Sequence, residues 1–161
     1  MKVGVISDTH IPFAANDLPK SIYENFKGVE LILHAGDLAE MSVLEKLKKI
    51  CKTVAVRGNM DSHAVKKALA QKEIIKVRNF TLGLIHGEGP PSGICDLVRE
   101  AFRGEKVDAI VFGHSHSPLC ETHNGILYFN PGSPTDKIFS SFNSYGILEI
   151  NDKIEGRIIR L

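Results

Sequence analysis

The sequence predicts an α/β fold contained in a single domain that covers residues 1–161. A chain of this length is enough for one compact domain with a sizeable buried core. In the first half, short apolar runs alternate with helix-like segments, which indicates parallel strands joined by right-handed crossovers. In the second half, pairs of strand-like runs follow one another across short turns, which indicates hairpins. Together these strands are more than one sheet usually holds.

The first half contains three predicted strands, each followed by a predicted helix. The strands cover residues 3–7, 31–34 and 53–56, and the helices cover about residues 17–27, 41–50 and 61–70. The first helix is expected to begin with Asp17 as an acidic cap and Pro19 as an early proline, and to end at Gly28. The second helix follows from apolar residues at helical spacing.

The second half contains three predicted hairpins with one helix and one strand between them. The paired strands cover residues 74–77 and 80–86, then 119–122 and 126–129, and finally 145–150 and 154–159. The middle pair flanks His123, Asn124 and Gly125, and an Asn-Gly pair is a strong turn signal. A helix from about 94 to 102 leads into a strand at 108–112.

Composition excludes several classes of protein. The formal net charge of +1 argues against duplex DNA or an anionic membrane surface as the partner. No apolar run approaches the roughly 18 residues of a membrane span, and the first residues do not resemble a secretory leader. The three cysteines are odd in number and widely spaced, which favours neither a disulfide framework nor a CxxC metal site. We therefore expect a cytoplasmic protein.

Side chains that can bind metal ions directly follow five of the predicted strands. In chain order they are Asp8 and His10, Asp37, Asn59, His86, and His114 and His116. Because the carboxyl ends of parallel strands share one edge of a sheet, we expect these side chains to meet at one rim. Turn and cap preferences explain carboxylates and amides in any one loop, but they do not explain four histidines on a single edge.

Seven donors of mixed chemistry are too many for one tetrahedral zinc ion. They suit two ions of the Mn, Fe, Co, Ni or Zn type, and Asp37, which is alone on its loop, is the candidate to bridge them. Two such ions, roughly 3.5–4 Å apart, are well suited to in-line displacement at phosphorus, because they hold a deprotonated water and neutralise the phosphoryl oxygens.

Five short motifs of this chain resemble the motifs of the calcineurin-like metallophosphoesterases. They are Asp8-x-His10, Gly36-Asp37, Gly58-Asn59, His86-Gly87 and Gly113-His-x-His116. They occur in the family's order across almost the whole chain. The chain is most similar to the small single-domain phosphodiesterases of bacteria and archaea.

The resemblance implies a sandwich of two β-sheets flanked by helices, with two metal ions at its edge. The first ion would be bound by Asp8, His10 and His116, and the second by Asn59, His86 and His114. Asp37 would bridge the two. A metal-bound hydroxide would then hydrolyse a small phosphodiester, with Asp37, Asn59 and His86 as catalytic residues. We expect Mn²⁺ first, with Ni²⁺, Fe, Co or Zn as alternatives.

The third motif departs from the pattern of larger family members, which usually carry a histidine after the asparagine. Here the residue is Met60, and a thioether has no proton to transfer to a leaving group. The chain is therefore expected to favour activated or nucleotide-like diesters, with Asn59 and Met60 as candidate substrate-binding residues. The next residue, Asp61, is expected to cap the following helix rather than to orient a catalytic group.

Four further polar residues are assigned structural roles, and a fifth is doubtful as a phosphate ligand. We expect His34 to be a structural or second-sphere histidine and His63 to be an exposed helical residue. In the stretch NPGSPTDK, Asn130 and Ser133 are expected to form a turn that braces the site. Lys137 stands where the family usually has arginine, and it lacks the bidentate geometry that suits phosphate.

A protein-binding scaffold is the alternative function. A retromer subunit of the same fold and size resembles this family and serves mainly as a docking surface. A scaffold does not need all seven donors, so their presence favours an enzyme. The sequence leaves the physiological substrate open, and a homo-oligomer is possible.

Overall fold

Residues 1–161 are described by a computed structural model, in which the apolar runs form ten strands and the amphipathic segments form four helices. In chain order these elements are β1 (Lys2–Ile6), α1 (Lys20–Asn25), β2 (Leu31–His34), α2 (Met41–Lys48), β3 (Thr53–Ala55), α3 (His63–Ala68), β4 (Lys72–Val77), β5 (Phe80–Ile85), α4 (Ile94–Ala101), β6 (Ala109–Val111), β7 (Leu119–His123), β8 (Ile126–Asn130), β9 (Ser144–Ile150) and β10 (Ile154–Arg160).

The strands form two sheets of five. The first has the order β10-β9-β1-β2-β3, with β1, β2 and β3 parallel and β9 and β10 antiparallel at one side. The second has the order β4-β5-β6-β8-β7, with β5, β6 and β8 parallel. Each sheet therefore has a parallel centre, whose strands end on the same side of that sheet.

A shared core lies between the sheets and takes side chains from both. In β2, Leu31 and Leu33 face this core while Ile32 faces the opposite side, as the alternation of a strand requires. Phe129 of β8 is fully buried, and its ring occupies the space above Gly146 and Gly156 of the other sheet. A Cβ atom at either glycine would collide with this ring, so the two sheets approach closely there.

Helices cover both outer faces. Apolar residues of α1, α2 and α3 pack against the first sheet, and residues of α4 pack against the second. The layers are therefore helix, sheet, sheet, helix, and the predicted two-sheet sandwich flanked by helices is confirmed. No helix is both long enough and apolar enough to cross a bilayer.

Two predicted helix caps are wrong. The residue before α1 is Pro19, and the Asp17 carboxylate instead binds the Tyr23 hydroxyl and the Lys46 ammonium group. The cap of α3 is Ser62, whose hydroxyl accepts from the N–H of Val65 at 3.5 Å. The partners of Asp17 include Lys46 of α2, and those of Asp61 are backbone N–H groups of neighbouring loops, which local spacing does not reveal.

We predict that Phe129→Ala lowers the free energy of unfolding by about 3–5 kcal/mol, because it removes a fully buried ring from between the sheets. Urea denaturation followed by circular dichroism measures this change. The matched control is Phe13→Ala, since Phe13 is 79% exposed and its removal is expected to change stability by less than about 0.5 kcal/mol. Equal losses in the two variants would contradict the prediction.

Candidate metal centre

The loops that follow β1, β2, β3, β5 and β6 meet at one edge of the sandwich. Backbone hydrogen bonds join them: the N–H of Asp8 donates to Gly36 and the N–H of His10 to Asp37, both at 3.0 Å. In the other sheet, the N–H of Gly113 donates to His86 at 3.0 Å. All seven predicted donors lie in these loops or at the strand ends, and the structure brings them together.

One group consists of Asp8, His10 and His116. The Nε2 atoms of the two histidines lie 3.3 Å apart, and Asp8 Oδ1 lies 3.3 Å from His116 Nε2 and 3.9 Å from His10 Nε2. One ligand atom from each residue can therefore face a common point, as binding of a single cation requires. This is the set that the family resemblance implies for the first ion.

A second group consists of Asp37 and His86, and Asp8 adjoins it as well. Asp37 Oδ2 lies 3.3 Å from His86 Nε2 and 3.7 Å from His10 Nε2, so this oxygen lies between the two groups. The other oxygen, Oδ1, accepts the backbone N–H of Met60 at 2.7 Å. A single oxygen of Asp37 is thus available to both groups.

Asn59 and His114 complete the second group from the side. Asn59 Oδ1 lies 3.1 Å from His86 Nε2 and 3.2 Å from His114 Nδ1. The other nitrogen of His114 donates to the carbonyl of Gly89 at 2.8 Å. The two imidazoles that follow β6 therefore diverge, with His114 beside Asn59 and His116 beside His10.

Left-handed backbone conformations are concentrated in this cluster. Of the eight non-glycine residues with positive φ, five belong to the seven donors: Asp8, His10, Asp37, His114 and His116. Such angles are uncommon outside glycine, although Asp and His tolerate them better than most residues. They turn each side chain out of its strand direction and into the shared edge.

Close packing also requires glycine at one motif position. A Cβ atom at Gly58 would collide with the Asp37 carboxylate and would lie 2.6 Å from its backbone nitrogen. The loop after β3 can therefore pass next to Asp37 only with glycine at this position.

Asp8 provides the test of whether these residues fit a cation. The residue is fully buried, and its Oδ2 accepts the backbone N–H of His114 at 3.1 Å. Its Oδ1 has no hydrogen-bond partner, although His116 Nε2 lies 3.3 Å away. A buried, unpaired carboxylate oxygen is costly unless something positive meets it, and it points into the group of imidazoles. The donor set thus fits divalent transition metals.

The ionisation of the cluster supports the same conclusion. Burial opposes a charge on His86 and His116, yet the nearby carboxylates of Asp37 and Asp8, respectively, outweigh it and raise the pKa of each imidazole to about 9. The same pairing lowers the pKa of Asp8 and Asp37 against the opposing effect of burial. Anionic oxygens in this cluster therefore already attract positive charge, which a cation can supply in place of protons.

The sequence pattern does not by itself indicate the contact between Asp136 and His116. His116 Nδ1 donates to Asp136 Oδ2 at 2.7 Å, which fixes the ring with Nε2 facing the cluster. Asp136 is buried and also accepts the backbone N–H groups of Ile138, Phe139 and Ser140. A carboxylate behind a histidine is a common way to orient a metal ligand. In the sequence, the only indication of this contact is that an acidic residue stands next to Lys137 in the stretch NPGSPTDK.

Asp61 has a different role from the predicted helix cap. Its Oδ1 accepts the N–H of Ala39 at 2.7 Å, and its Oδ2 accepts those of Gly58 and Asp37 at 2.6 and 3.2 Å. Burial raises the pKa of this carboxyl, although these hydrogen bonds oppose the shift. Asp61 therefore ties the loop after β2 to the loop after β3, directly behind Asp37.

His34, Asn130 and Ser133 make structural contacts, as the sequence predicts. His34 is fully buried, accepts the N–H of Gly36 at Nδ1 and contacts Thr9 through Nε2, and burial lowers its pKa to about 3. Asn130 donates to the carbonyl of Gly113, and the Ser133 hydroxyl donates to that of Asp8 at 2.7 Å. These residues support the motif loops from behind.

Three remaining candidates lie in different surroundings. Met60 is 62% exposed and lines a cavity beside the cluster. His63 is exposed at the first residue of α3, and Lys137 is exposed outside that cavity. Of these three residues, only Met60 is therefore placed to contact a molecule that binds at the cluster.

Comparison with known proteins gives a consistent assignment. Residues 1–153 match the family model described as the calcineurin-like phosphoesterase superfamily domain. A probable metallophosphoesterase of Methanocaldococcus jannaschii is 38% identical over 162 residues, which cover 99% of this chain and 81% of that protein.

Two solved structures share the fold over the full chain. A single mutant of Vps29 from Entamoeba histolytica is 25% identical with a TM-score of 0.82, and the match covers 100% of this chain and 99% of that one. A novel archaeal phosphodiesterase is 22% identical with a TM-score of 0.79, and the match covers 100% of both chains. Because residues 1–153 match the family model and this relative is 38% identical, the chain belongs to the calcineurin-like phosphoesterase superfamily, whose members use divalent metals.

Proposed function

We propose that this protein is a two-metal phosphodiesterase that hydrolyses small phosphodiesters. The observation that carries the proposal is the position of Asp37 Oδ2, which lies 3.3 Å from His86 Nε2 and 3.7 Å from His10 Nε2. One oxygen between two histidine-containing groups is the arrangement that a pair of neighbouring cations needs. The unpaired Oδ1 of Asp8 adds a second free oxygen to the same place.

The proposed ligand sets follow the two groups. Asp8, His10 and His116 bind one cation, Asn59, His86 and His114 bind the other, and Asp37 is shared. A bound pair of cations would supply Lewis-acid activation of a water molecule and neutralise charge on the phosphoryl oxygens. We take Mn²⁺ as the first candidate, since nitrogen and oxygen ligands of this kind also accept Ni²⁺, Fe, Co and Zn.

The chain orients the donors before any ligand binds. The N–H of Met60 fixes Asp37, the carbonyl of Ala35 accepts from His86 Nδ1 at 2.8 Å, and Asp136 fixes His116. These contacts leave Asp37 Oδ2 and the two Nε2 atoms facing the cluster. Ligands held in this way lose little freedom on metal binding, which raises affinity.

A diester is favoured over a monoester by the charges of the cavity that Met60 lines, whereas Arg57 and Lys66 line a separate cavity next to Asn59 and His86. The cavity beside the cluster has a volume of about 670 Å³, and no lysine or arginine is among the residues that line it. A phosphodiester carries one negative charge and a phosphomonoester up to two, so the monoester has greater need of cationic side chains. Met60 offers no proton to the departing oxygen, which therefore takes one from solvent water.

A protein-binding scaffold is the second candidate function. It is favoured by the structural similarity to Vps29 and by exposed apolar residues near the cluster. A docking surface does not require a buried carboxylate oxygen without a partner, nor imidazoles oriented by carboxylate and carbonyl groups. The phosphodiesterase explains these features and is the function that we propose.

We predict that the protein hydrolyses bis(4-nitrophenyl) phosphate when Mn²⁺ or Ni²⁺ is added, and that EDTA abolishes the reaction. Asp37→Ala should lower kcat/KM at least about 100-fold, because it removes the oxygen shared by both groups. Release of 4-nitrophenolate measures the rate. Asp152→Ala, in the exposed turn between β9 and β10, is the matched control and should keep full activity. Turnover that is independent of added metal would contradict the proposal.

A second prediction concerns Asp136. Asp136→Asn should weaken Mn²⁺ binding about 10–100-fold, because the carboxylate that orients His116 is lost. Titration calorimetry measures the affinity. Glu121→Gln is the control, since Glu121 forms an exposed pair with His123 at 3.0 Å, away from the cluster. Unchanged Mn²⁺ affinity in Asp136→Asn would show that Asp136 only supports the loop.

A third prediction concerns the missing general acid. Met60→His should raise kcat/KM at least about tenfold for diesters with poor leaving groups and change it little for 4-nitrophenyl esters. The reason is that proton donation, which typically contributes about 10²–10⁴-fold, helps most when the departing alkoxide is basic. A series of aryl and alkyl diesters measures the dependence on leaving-group pKa. An equal or lower rate across the whole series would reject the prediction.

A further inference from the structure

The most exposed apolar side chains of the protein are gathered at one place. Seven large apolar residues are exposed, and the four most exposed are Ile138 (81%), Phe13 (79%), Phe139 (75%) and Met60 (62%). All four line the cavity of about 670 Å³ beside the metal-binding cluster. The other three are between 40% and 46% exposed and do not line it.

The same cavity is lined by donors of the cluster. His10, Asp37, Asn59, His114 and His116 form part of its wall. A ligand whose phosphoryl group reaches these residues therefore extends into the apolar part without leaving the cavity. Its volume lies within the range of about 300–1,000 Å³ that is usual for small-molecule sites, and it is far larger than a phosphate group needs.

Hydrogen bonds hold the aromatic residues next to the donors. The ring of Phe139 lies 5.8 Å from that of His116 at an interplanar angle of 81°, and its N–H donates to Asp136, which also binds His116. Phe13 stands in a turn that is closed by the N–H of Ala14 donating to His10 at 2.8 Å. Phe13 is therefore held close to His10, and Phe139 is held close to His116. Both histidines are proposed ligands of the first cation.

The charges of the cavity restrict what can enter. Asp37 and Asp136 line it, and no lysine or arginine does. No lysine or arginine of the cavity would balance the charge of further phosphate groups on a substituent. An uncharged ring would instead cover the exposed apolar side chains and stack on the aromatic faces. Both the removal of apolar surface from water and the stacking lower the free energy of binding.

We propose that this apolar cavity binds a flat aromatic substituent of the phosphodiester, such as a nucleobase or an aryl group, beside the first cation. The proposal rests on the proposed function for the placement of the phosphoryl group. Phe13 and Phe139 are the specificity-determining residues, and Met60 and Ile138 complete the apolar wall. A diester with only small alkyl substituents binds the cations but leaves this wall in contact with water.

The test compares two ligands that are not hydrolysed, methyl(phenyl)phosphinate and dimethylphosphinate, by titration calorimetry of the Mn²⁺-loaded protein. Both carry one negative charge, as a phosphodiester does. Methyl(phenyl)phosphinate should bind at least about fivefold more tightly, as expected for stacking of one ring. Phe13→Ala and Phe139→Ala should each reduce this ratio towards one while the dimethylphosphinate affinity stays the same. The control is Ile74→Ala, an exposed residue of β4 outside the cavity, which should keep the wild-type ratio.

Equal affinities, binding of neither phosphinate, or a ratio that survives both phenylalanine substitutions would overturn the proposal. So would a wild-type dimer that Phe139→Ala converts to a monomer in sedimentation, since a second copy would then cover the cavity. Hydrolysis of bis(4-nitrophenyl) phosphate separates the two proposals. Turnover without tighter binding of the ring-containing ligand would contradict only the aromatic site. Tighter binding of that ligand without turnover would contradict only the proposed phosphodiesterase activity.

Discussion

The site depends on a backbone constraint: five of the seven donors are held in the left-handed region. Each such residue costs about 1–2 kcal/mol relative to ordinary backbone, so the chain keeps them only where the surroundings determine the conformation. Here the surroundings are other loops of the same edge, since Asp8 is bound to the loop after β2 and Gly113 to the end of β5. The donors are therefore positioned by contacts within and between both sheets, and no single loop could hold its part of the site alone.

A second constraint is electrostatic and arises from the first. The left-handed turns bring the carboxylates of Asp8 and Asp37 into one small volume that is largely closed to water. Two buried anions at this distance need positive charge between them. The carboxylates attract such charge, and they raise the pKa of His86 and His116 to about 9 although burial by itself would lower it. The geometry that makes the site costly for the protein alone is the geometry that makes it attractive to cations.

The elements and the seven donors could be predicted because each donor directly follows a strand, and strand ends are visible in the local pattern. The position of Asp136 beside His116 could not be predicted from the sequence, because the two residues are 20 positions apart and only the fold brings them together. Asp61 was misassigned for a related reason. An acidic residue before a helix is typical of a cap, but backbone N–H groups from a neighbouring loop bind both of its oxygens first.

The apolar wall was also invisible to sequence analysis, because exposed phenylalanines look the same as buried ones in a hydrophobic pattern. Asp136 connects this wall to the metal centre: one carboxylate orients His116 and accepts the backbone N–H groups that hold Ile138 and Phe139. Under the two proposals, a shift of His116 towards a bound cation would also displace the carboxylate that holds the backbone of Ile138 and Phe139. Metal binding and the fit of the substituent would then be coupled through Asp136.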